Sequence, residues 1–293
     1  MQKRRFSRRR DLVVSGLTVG VIALGVLALA GGLAGVIGTN GVAARGVGLV
    51  EVNGVIRDAR PIIRQLKYFT EKDNAPVVLL RINSPGGTVG AAQEIHRQVV
   101  LTRQQGVKVV ASLGDLAASG GYYLAAAADS IMANPGTITG SIGVIAEFLN
   151  ADTLMQKIGI GFTFIKSGKY KDLGTPSRPL SPDERRVVQT VVDDAYRQFL
   201  DAVHDGRGIS YDDLDPLAQG QVYTGRMALS YGLIDTLGNF EDAVRFARDI
   251  GGLKPDAPLL RAPVRDRSLV QRLIGEAAVL WSGPSMRVSY LMP

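Results

Sequence analysis

Short apolar runs alternate with amphipathic segments along the central part of the chain. VGLVEVNGVI (residues 47–56) is rich in β-branched residues and ends at a glycine turn, which is typical of a strand. PVVLLRI (76–82) and VKVVASL (107–113) are continuous apolar runs of the kind that is buried on both faces of a sheet. Between them, residues 91–104 place apolar side chains at helical spacing. Strand, helix and strand at this interval predict an α/β domain.

The second half of the chain has a different local pattern. GFTFIKSG (161–168) predicts one more strand. In PLSPDERR, Ser181 can cap a helix, Pro182 suits its first position and Glu184 completes a capping box, so a long helix is predicted over residues 182–204. NFEDAVRFARDIG predicts another helix. The tail from residue 254 mixes prolines, charges and a short apolar stretch, and no role is predicted for it.

The amino-terminal region predicts a membrane anchor. Residues 12–38 contain no charged side chain, and this stretch of 27 residues exceeds the roughly 20 that cross a bilayer. The basic cluster before it is expected to stay in the cytoplasm, which places the rest of the chain on the other side of the cell (inner) membrane. A signal peptide cleaved after GVAARG is the alternative, but the apolar run is longer than such segments usually are. The expected organisation is a cytoplasmic segment (1–11), a transmembrane anchor (12–38), a linker (39–46), an α/β domain (47–253) and a tail (254–293).

Composition excludes several classes of function. The first eleven residues carry +5 of the formal net charge of +7, so the rest of the chain carries only +2. A nearly neutral body argues against nucleic acid as a partner. The chain has no cysteine, which excludes disulfides and thiolate metal sites. Its two histidines, His96 and His204, are too few and too far apart for a common zinc site.

Two glycine-containing motifs follow consecutive predicted strands. INSPGG (82–87) comes directly after one buried strand, where exposed backbone N–H groups could form half of an oxyanion hole. The alternative is an ordinary tight turn. AASGG places Ser119 after the next strand and at the start of a helix, where it could be a nucleophile or simply a helix cap. The segment is not a G-x-S-x-G elbow, because Ala117 stands in place of the first glycine.

The combination of motifs resembles the signal peptide peptidase A family of membrane-anchored serine proteases. INSPGG and AASGGYY, separated by roughly thirty residues, are followed by TGSIGVI and SGKYKD in the family order, and the resemblance covers about residues 47–253. It implies the fold shared by the Clp protease and the crotonases, here an α/β domain with a C-terminal helical extension. One set of motifs indicates the short form of the family. Several copies are then expected to assemble into a homo-oligomeric ring or dome.

The resemblance also implies the roles of individual residues. These are the nucleophile Ser119, the general base Lys171, Ser141 as the hydrogen-bonding partner that orients the lysine amine, and backbone N–H donors to the oxyanion at Gly86 or Gly87 and at Gly120. No metal or organic cofactor is expected. A lysine, with an ordinary pKa of about 10.4, is a base near pH 7 only where apolar surroundings favour its neutral form. Lys169, two residues from Lys171, stays a rival for this role.

The implied activity is hydrolysis of signal peptides left in the membrane after export, so the expected partners are apolar peptides and the lipid bilayer. Leu116, Tyr122, Tyr123 and Ile142 are expected to flank the site and to favour apolar or small side chains. Three alternatives stay open: a triad that uses His204, which is expected to face solvent; a crotonase-like acyl-CoA enzyme; and a membrane scaffold without catalytic activity.

Overall fold

The computed structural model describes residues 45–263 and 287–291. The predicted anchor and linker lie outside these ranges. Within them, no helix has both the length and the apolar character needed to cross a bilayer.

The described strands form one large sheet and one small sheet. In chain order the strands are β1 (Val47–Asn53), β2 (Val77–Ser84), β3 (Gly86–Thr88), β4 (Lys108–Ala118), β5 (Ser130–Ala133), β6 (Ile138–Gly140), β7 (Ile145–Glu147), β8 (Val222–Thr224), β9 (Thr236–Leu237), β10 (Leu259–Arg261) and β11 (Arg287–Leu291). The large sheet has the parallel order β10-β1-β2-β4-β5-β9. The α/β domain predicted from the alternating pattern is therefore confirmed.

Helices cover both faces of the large sheet. They are α1 (Arg60–Glu71), α2 (Val89–Gln104), α3 (Gly120–Ala126), α4 (Asp152–Lys157), α5 (Pro182–Arg207), α6 (Tyr211–Leu214), α7 (Gly225–Ser230) and α8 (Phe240–Ile250), and a 3₁₀ turn spans Asp215–Leu217. Alternate strand residues such as Val78 and Leu80 pack towards α1, α2 and α3, whereas Val77 and Leu79 pack towards α8. Burial on both faces explains why these strands are continuous apolar runs.

The predicted capping signals are present. Ser181 Oγ accepts a hydrogen bond from the Glu184 N–H at 3.2 Å, and the Ser181 N–H donates to Glu184 Oε2 at 2.8 Å. This capping box begins α5, which runs three residues beyond the predicted end, to Arg207. Asn239 and Asp242 form a second capping box at the start of α8.

The tail contributes strands to both sheets. β10 extends the large sheet as the parallel neighbour of β1. β11 lies between β3 and β7 and pairs antiparallel with each of them. The tail beyond residue 253, for which the sequence predicts no role, therefore adds an edge to one sheet and the central strand to the other.

The strand predicted over GFTFIKSG is wrong. Residues 161–166 have no regular secondary structure, and residues 167–174 form a bend followed by turns. The aromatic and aliphatic side chains that suggested a strand are exposed, and Ile165 is 100% exposed. Among the residues that the structure describes, no strand pairs with this segment and none of its side chains is buried, so its alternating pattern has no sheet to match.

Candidate active site

The two glycine motifs lie side by side at the carboxyl edge of the large sheet. β2 and β4 are parallel neighbours, and Ser84 pairs with Ala117 after an irregularity that follows Ile82. The start of α3 approaches the end of β2 so closely that a β-carbon on Gly121 would lie 2.8 Å from the carbonyl oxygen of Ser84. Glycine at position 121 therefore allows the two turns to meet.

The backbone N–H groups of Gly86 and Gly87, in the first motif, point in different directions. The Gly86 N–H donates to Ser84 Oγ at 3.1 Å. Around Gly87, the Ile56 N–H donates to the Gly86 oxygen at 2.8 Å, and the Thr88 N–H donates to the Ile56 oxygen at 2.9 Å. Because neighbouring residues of a strand direct their backbone groups to opposite sides, the Gly87 N–H points away from Ile56 and towards β11. Of the two candidate donors, Gly87 is the one directed into the space between β3 and β7.

Gly87 also has no room for a side chain. A β-carbon at this position would lie 1.9 Å from the carbonyl oxygen of Ile56. Any other residue would push β3 away from the Ile56 backbone and tilt the Gly87 N–H out of its present direction.

Ser119 occupies the turn between β4 and α3 in a strained conformation. Its φ is +53°, which is uncommon for a residue with a side chain. Its N–H donates to the Gly140 oxygen at 2.8 Å, and its side chain is not a helix cap for α3. The residue is 1% exposed. The capping alternative is thereby removed, and the strain is of the kind that accumulates at functional sites.

Gly120 is the first residue of α3, directly after Ser119. The first N–H groups of a helix have no acceptor within the helix, and they lie at its positive end. The Gly120 N–H is therefore free of helical pairing and available as a donor to an external acceptor.

Ser141 follows β6 in the same way that Ser119 follows β4. Its φ is +50°, and its N–H donates to the Gln221 oxygen at 2.8 Å. It is 6% exposed. It lines a cleft of about 380 Å³ whose wall on the α5 side includes Val192 and Tyr196.

The three lysines near the fourth motif differ in their partners. Lys166 forms an ion pair with Asp172, and Lys169 forms one with Asp183. The bond to Asp183 raises the pKa of Lys169 above its ordinary value. Lys171 lies in the exposed turn of residues 169–174, and within the described residues it has no ion pair and no hydrogen bond to Ser119 or Ser141. The structure thus places the two serines and the candidate backbone donors along one sheet edge and leaves Lys171 on the surface.

Three residues that were expected to flank the site belong to the core instead. Tyr122 is fully buried and donates its hydroxyl proton to the Leu233 oxygen at 2.8 Å. Tyr123 packs between His96 and Phe199, and Ile142 is fully buried. All seven residues of α3 are buried, so the helix that follows Ser119 is fixed by core packing.

His204 is half-buried near the end of α5, where its ring is engaged by other residues and makes no hydrogen bond to Ser119. Its Nδ1 donates to the Ile209 oxygen at 2.7 Å, and its ring stacks on Tyr211 with 4.3 Å between the centroids. The expectation that it faces solvent is met only in part.

Two features of the site escaped the sequence. One is the strand β11, for which the alternation in RVSYL is the only local signal. The other is Arg178, which binds the carboxylates of Asp172 and Glu184. The sequence does reveal Glu184, through the capping box. It does not reveal that Arg178 binds Glu184 and Asp172 at the same time.

A buried serine in a strained strand-to-helix turn, at the same sheet edge as the Gly87 and Gly120 N–H groups, is the arrangement that serine hydrolases use for acyl transfer. The model of Peptidase family S49 matches residues 102–254, and that of the Clp protease matches residues 49–137. The chain belongs to Peptidase family S49. It is a serine protease, and its resemblance to the signal peptide peptidase A family is confirmed.

Three relatives illustrate the match. A putative protease from Synechocystis is 42% identical over 77% of this chain. A putative signal peptide peptidase SppA from Enterococcus faecium is 36% identical over 67% of it, and the chloroplastic serine protease SPPA from Arabidopsis thaliana is 37% identical over 65%. The chain spans 82%, 60% and 28% of these relatives, respectively.

Proposed function

We propose that the chain is a membrane-anchored endopeptidase that degrades signal peptides remaining in the bilayer after protein export, with Ser119 and Lys171 as a catalytic dyad. The observation that carries this proposal is the strained, buried turn of Ser119 at the sheet edge that also carries the Gly87 and Gly120 N–H groups. A fixed serine next to backbone donors is what acyl transfer from a peptide bond requires.

In the proposed reaction, Ser119 Oγ attacks the peptide carbonyl carbon and its proton passes to the neutral amine of Lys171. The carbonyl oxygen becomes an oxyanion that accepts hydrogen bonds from the Gly87 and Gly120 N–H groups. The C–N bond then breaks, the lysine returns the proton to the leaving amine, and an ester remains on Ser119. Water gives a proton to Lys171 and attacks this ester; the C–O bond to Ser119 then breaks, the acid leaves, and Lys171 returns the proton to Ser119 Oγ. Ser141 orients the lysine amine.

The ion pairs of the neighbouring lysines support Lys171 as the base. A protonated lysine cannot accept the proton of a serine, and Asp183 stabilises the protonated form of Lys169. Lys166 is bound in the same manner by Asp172. Lys171 carries no such carboxylate partner among the described residues.

The position of β11 supports an extended peptide as the substrate. A strand of this chain already pairs antiparallel with β3 and with β7. A peptide that enters the same space would gain backbone hydrogen bonds on both sides and would bring its carbonyl groups past the Gly87 N–H. Recognition through the backbone suits an enzyme that must accept many different signal peptides.

We place the dyad across an interface between two copies of the chain. Lys171 is exposed, and the adjoining segment exposes Phe162, Phe164 and Ile165. A contiguous apolar surface of this kind is typical of an interaction site. A neighbouring copy would cover these side chains and bring its Lys171 to Ser119, so the active form is a homo-oligomer.

The experiment that tests the function uses the full chain and its Ser119→Ala variant in lipid vesicles with a synthetic signal peptide. Disappearance of the peptide only with the unchanged serine supports the proposal. Equal rates for the two proteins would contradict the proposal.

A reporter that is active only outside the cytoplasm, fused after Pro293, tests the membrane topology. If this reporter is inactive and a reporter that works only in the cytoplasm is active, the proposed topology is wrong.

A further inference from the structure

A cluster of charged side chains, with nearly buried carboxylates and a partly exposed arginine, lies beside the turn that contains Lys171. Arg178 donates two hydrogen bonds to Glu184, from Nη1 to Oε2 at 2.7 Å and from Nη2 to Oε1 at 2.6 Å. Its Nη2 also lies 2.9 Å from Oδ2 of Asp172. The carboxylate side chains are only 7% exposed in Asp172 and 4% exposed in Glu184.

Each carboxylate of the cluster belongs to a different piece of the chain. Asp172 directly follows Lys171 and also binds Lys166, so it lies within the turn of the fourth motif. Glu184 belongs to the capping box of α5, where its side chain accepts the Ser181 N–H. The guanidinium of Arg178 is the group that joins these two pieces.

The cluster depends on Arg178 for its charge balance. The hydrogen bonds from Arg178, followed by the backbone hydrogen bond of Ser181, lower the pKa of Glu184 to about 2. The pKa of Asp172 is lowered by Lys166 first and by Arg178 next. Removal of the guanidinium would leave a nearly buried carboxylate without its partner, a far worse situation than the loss of a surface ion pair.

Helix α5, which carries Glu184, also forms one wall of the cleft at Ser141. Val192 and Tyr196 of α5 line that cleft, and Tyr196 is fixed by its hydroxyl hydrogen bond to the Ala218 oxygen at 2.8 Å. The connection therefore runs from the Lys171 turn through Arg178 to a helix that packs against the body of the same chain, so the turn is anchored to its own subunit.

We propose that Arg178 is a positioning residue for catalysis, which ties Asp172, and with it the backbone of Lys171, to the first turn of α5. This inference rests on the proposed role of Lys171 as the general base. Arg178 itself does not touch the substrate. Its planar guanidinium serves two carboxylates at once, whereas a lysine at this position could serve only one of them well.

The test compares Arg178→Gln, Arg178→Lys and a matched control, Arg245→Gln. Arg245 also binds the carboxylate of a capping box, that of Asp242 at the start of α8, on the opposite face of the sheet. We expect kcat towards a fluorogenic signal-peptide-like substrate to fall about 10- to 100-fold in Arg178→Gln with KM nearly unchanged, because misplacement of a reacting group acts on the catalytic step. Arg178→Lys should be intermediate, and Arg245→Gln should match the unchanged protein.

The measurement is made on the full chain, with rates divided by the folded fraction taken from thermal unfolding. A kcat per folded molecule in Arg178→Gln that equals that of Arg245→Gln would overturn the inference. If Arg178→Gln does not fold, Arg178→Lys carries the same comparison, and a wild-type kcat in that folded variant would overturn the requirement for a bidentate guanidinium. Lys171→Ala is measured in parallel: an active Lys171→Ala refutes the proposed dyad, whereas an inactive Lys171→Ala with a fully active Arg178→Gln refutes only the positioning role.

Discussion

Ser119 and Ser141 leave the sheet side by side, because each follows one member of the register pair Ala118 and Gly140. Both serines have positive φ, at +53° and +50°. Their backbone N–H groups are fixed by carbonyl oxygens of neighbouring segments, Gly140 for Ser119 and Gln221 for Ser141. The strands thus deliver two strained, buried hydroxyl groups to the same edge of the sheet, which is the arrangement expected for a nucleophile and a group that orients its base.

Substitution of the proposed dyad should separate catalysis from folding. Ser119→Ala and Lys171→Ala should each lower kcat by about 10³-fold or more, since each removes a group that the reaction cannot replace. Lys169→Ala should stay within a few-fold of the unchanged rate, because Lys169 is an exposed partner of Asp183. Peptide hydrolysis and circular dichroism check both statements. An inactive Lys169→Ala beside an active Lys171→Ala would reverse the assignment of the base.

Mixing the two inactive variants should restore activity if the dyad spans an interface. In randomly assembled oligomers of Ser119→Ala and Lys171→Ala, about a quarter of the sites would combine an intact serine with an intact lysine from a neighbour. The measurement is the rate after dissociation and reassembly of equal amounts. A mixture that remains as inactive as its components places both residues in one chain, and mixing either variant with itself is the control.

Removal of β11 should open the space between β3 and β7. Deletion of residues 287–293 takes away the strand that pairs with both of these edges, so kcat/KM for short peptides should rise by several-fold because they no longer compete with the tail. Deletion of the last two residues alone, which retains β11, is the control. An unchanged or lower kcat/KM in the folded longer deletion would show that β11 does not compete with peptides.

Acid should destabilise the domain through His96 before it affects Glu184. Burial lowers the pKa of His96 to about 4, below the value of about 6.5 expected in the unfolded chain. The neutral ring is favoured in the folded state, so its contribution to stability is complete above pH 6.5 and is lost as the pH falls towards 4. One proton taken up on unfolding corresponds to at most about 1.4 kcal/mol per pH unit.

Urea unfolding of the unchanged protein and of His96→Gln, between pH 7 and pH 4.5, tests this statement. The variant should show the shallower dependence, since it cannot take up the proton. Glu184, with its pKa lowered to about 2, contributes only below about pH 4.5. Equal slopes for both proteins between pH 6.5 and 4.5 would remove His96 as the cause.

The parts of the fold that were predictable depend on local signals. β2 and β4 are apolar on both faces because both faces are covered, and α5 begins where Ser181 and Glu184 form a capping box. The strand prediction around Phe162 and Phe164 failed, because apolar side chains that are exposed in a single chain can alternate in the same way as those of a strand.

The geometry of the site was less predictable, because its contacts join residues that are distant in sequence and because the direction of a backbone N–H cannot be read from the sequence. The motif resemblance named Gly86 and Gly87 together, and only the bridge to Ile56 distinguishes their N–H groups. Tyr122 was misplaced because α3 is buried on every side, so its sequence gives no polar face to orient it.

The parallel pairing of β1 with β10 has a consequence for the order of folding. Val47 is matched with Leu259, so the first described strand receives its outer neighbour only after the whole of the described domain between these two residues has been synthesised. Until then, β1 presents an unpaired edge beside a largely formed sheet, and long-range parallel pairing of this kind is slow and open to aggregation. We therefore expect the nascent domain to be most open to aggregation before β10 pairs with β1 and covers its edge.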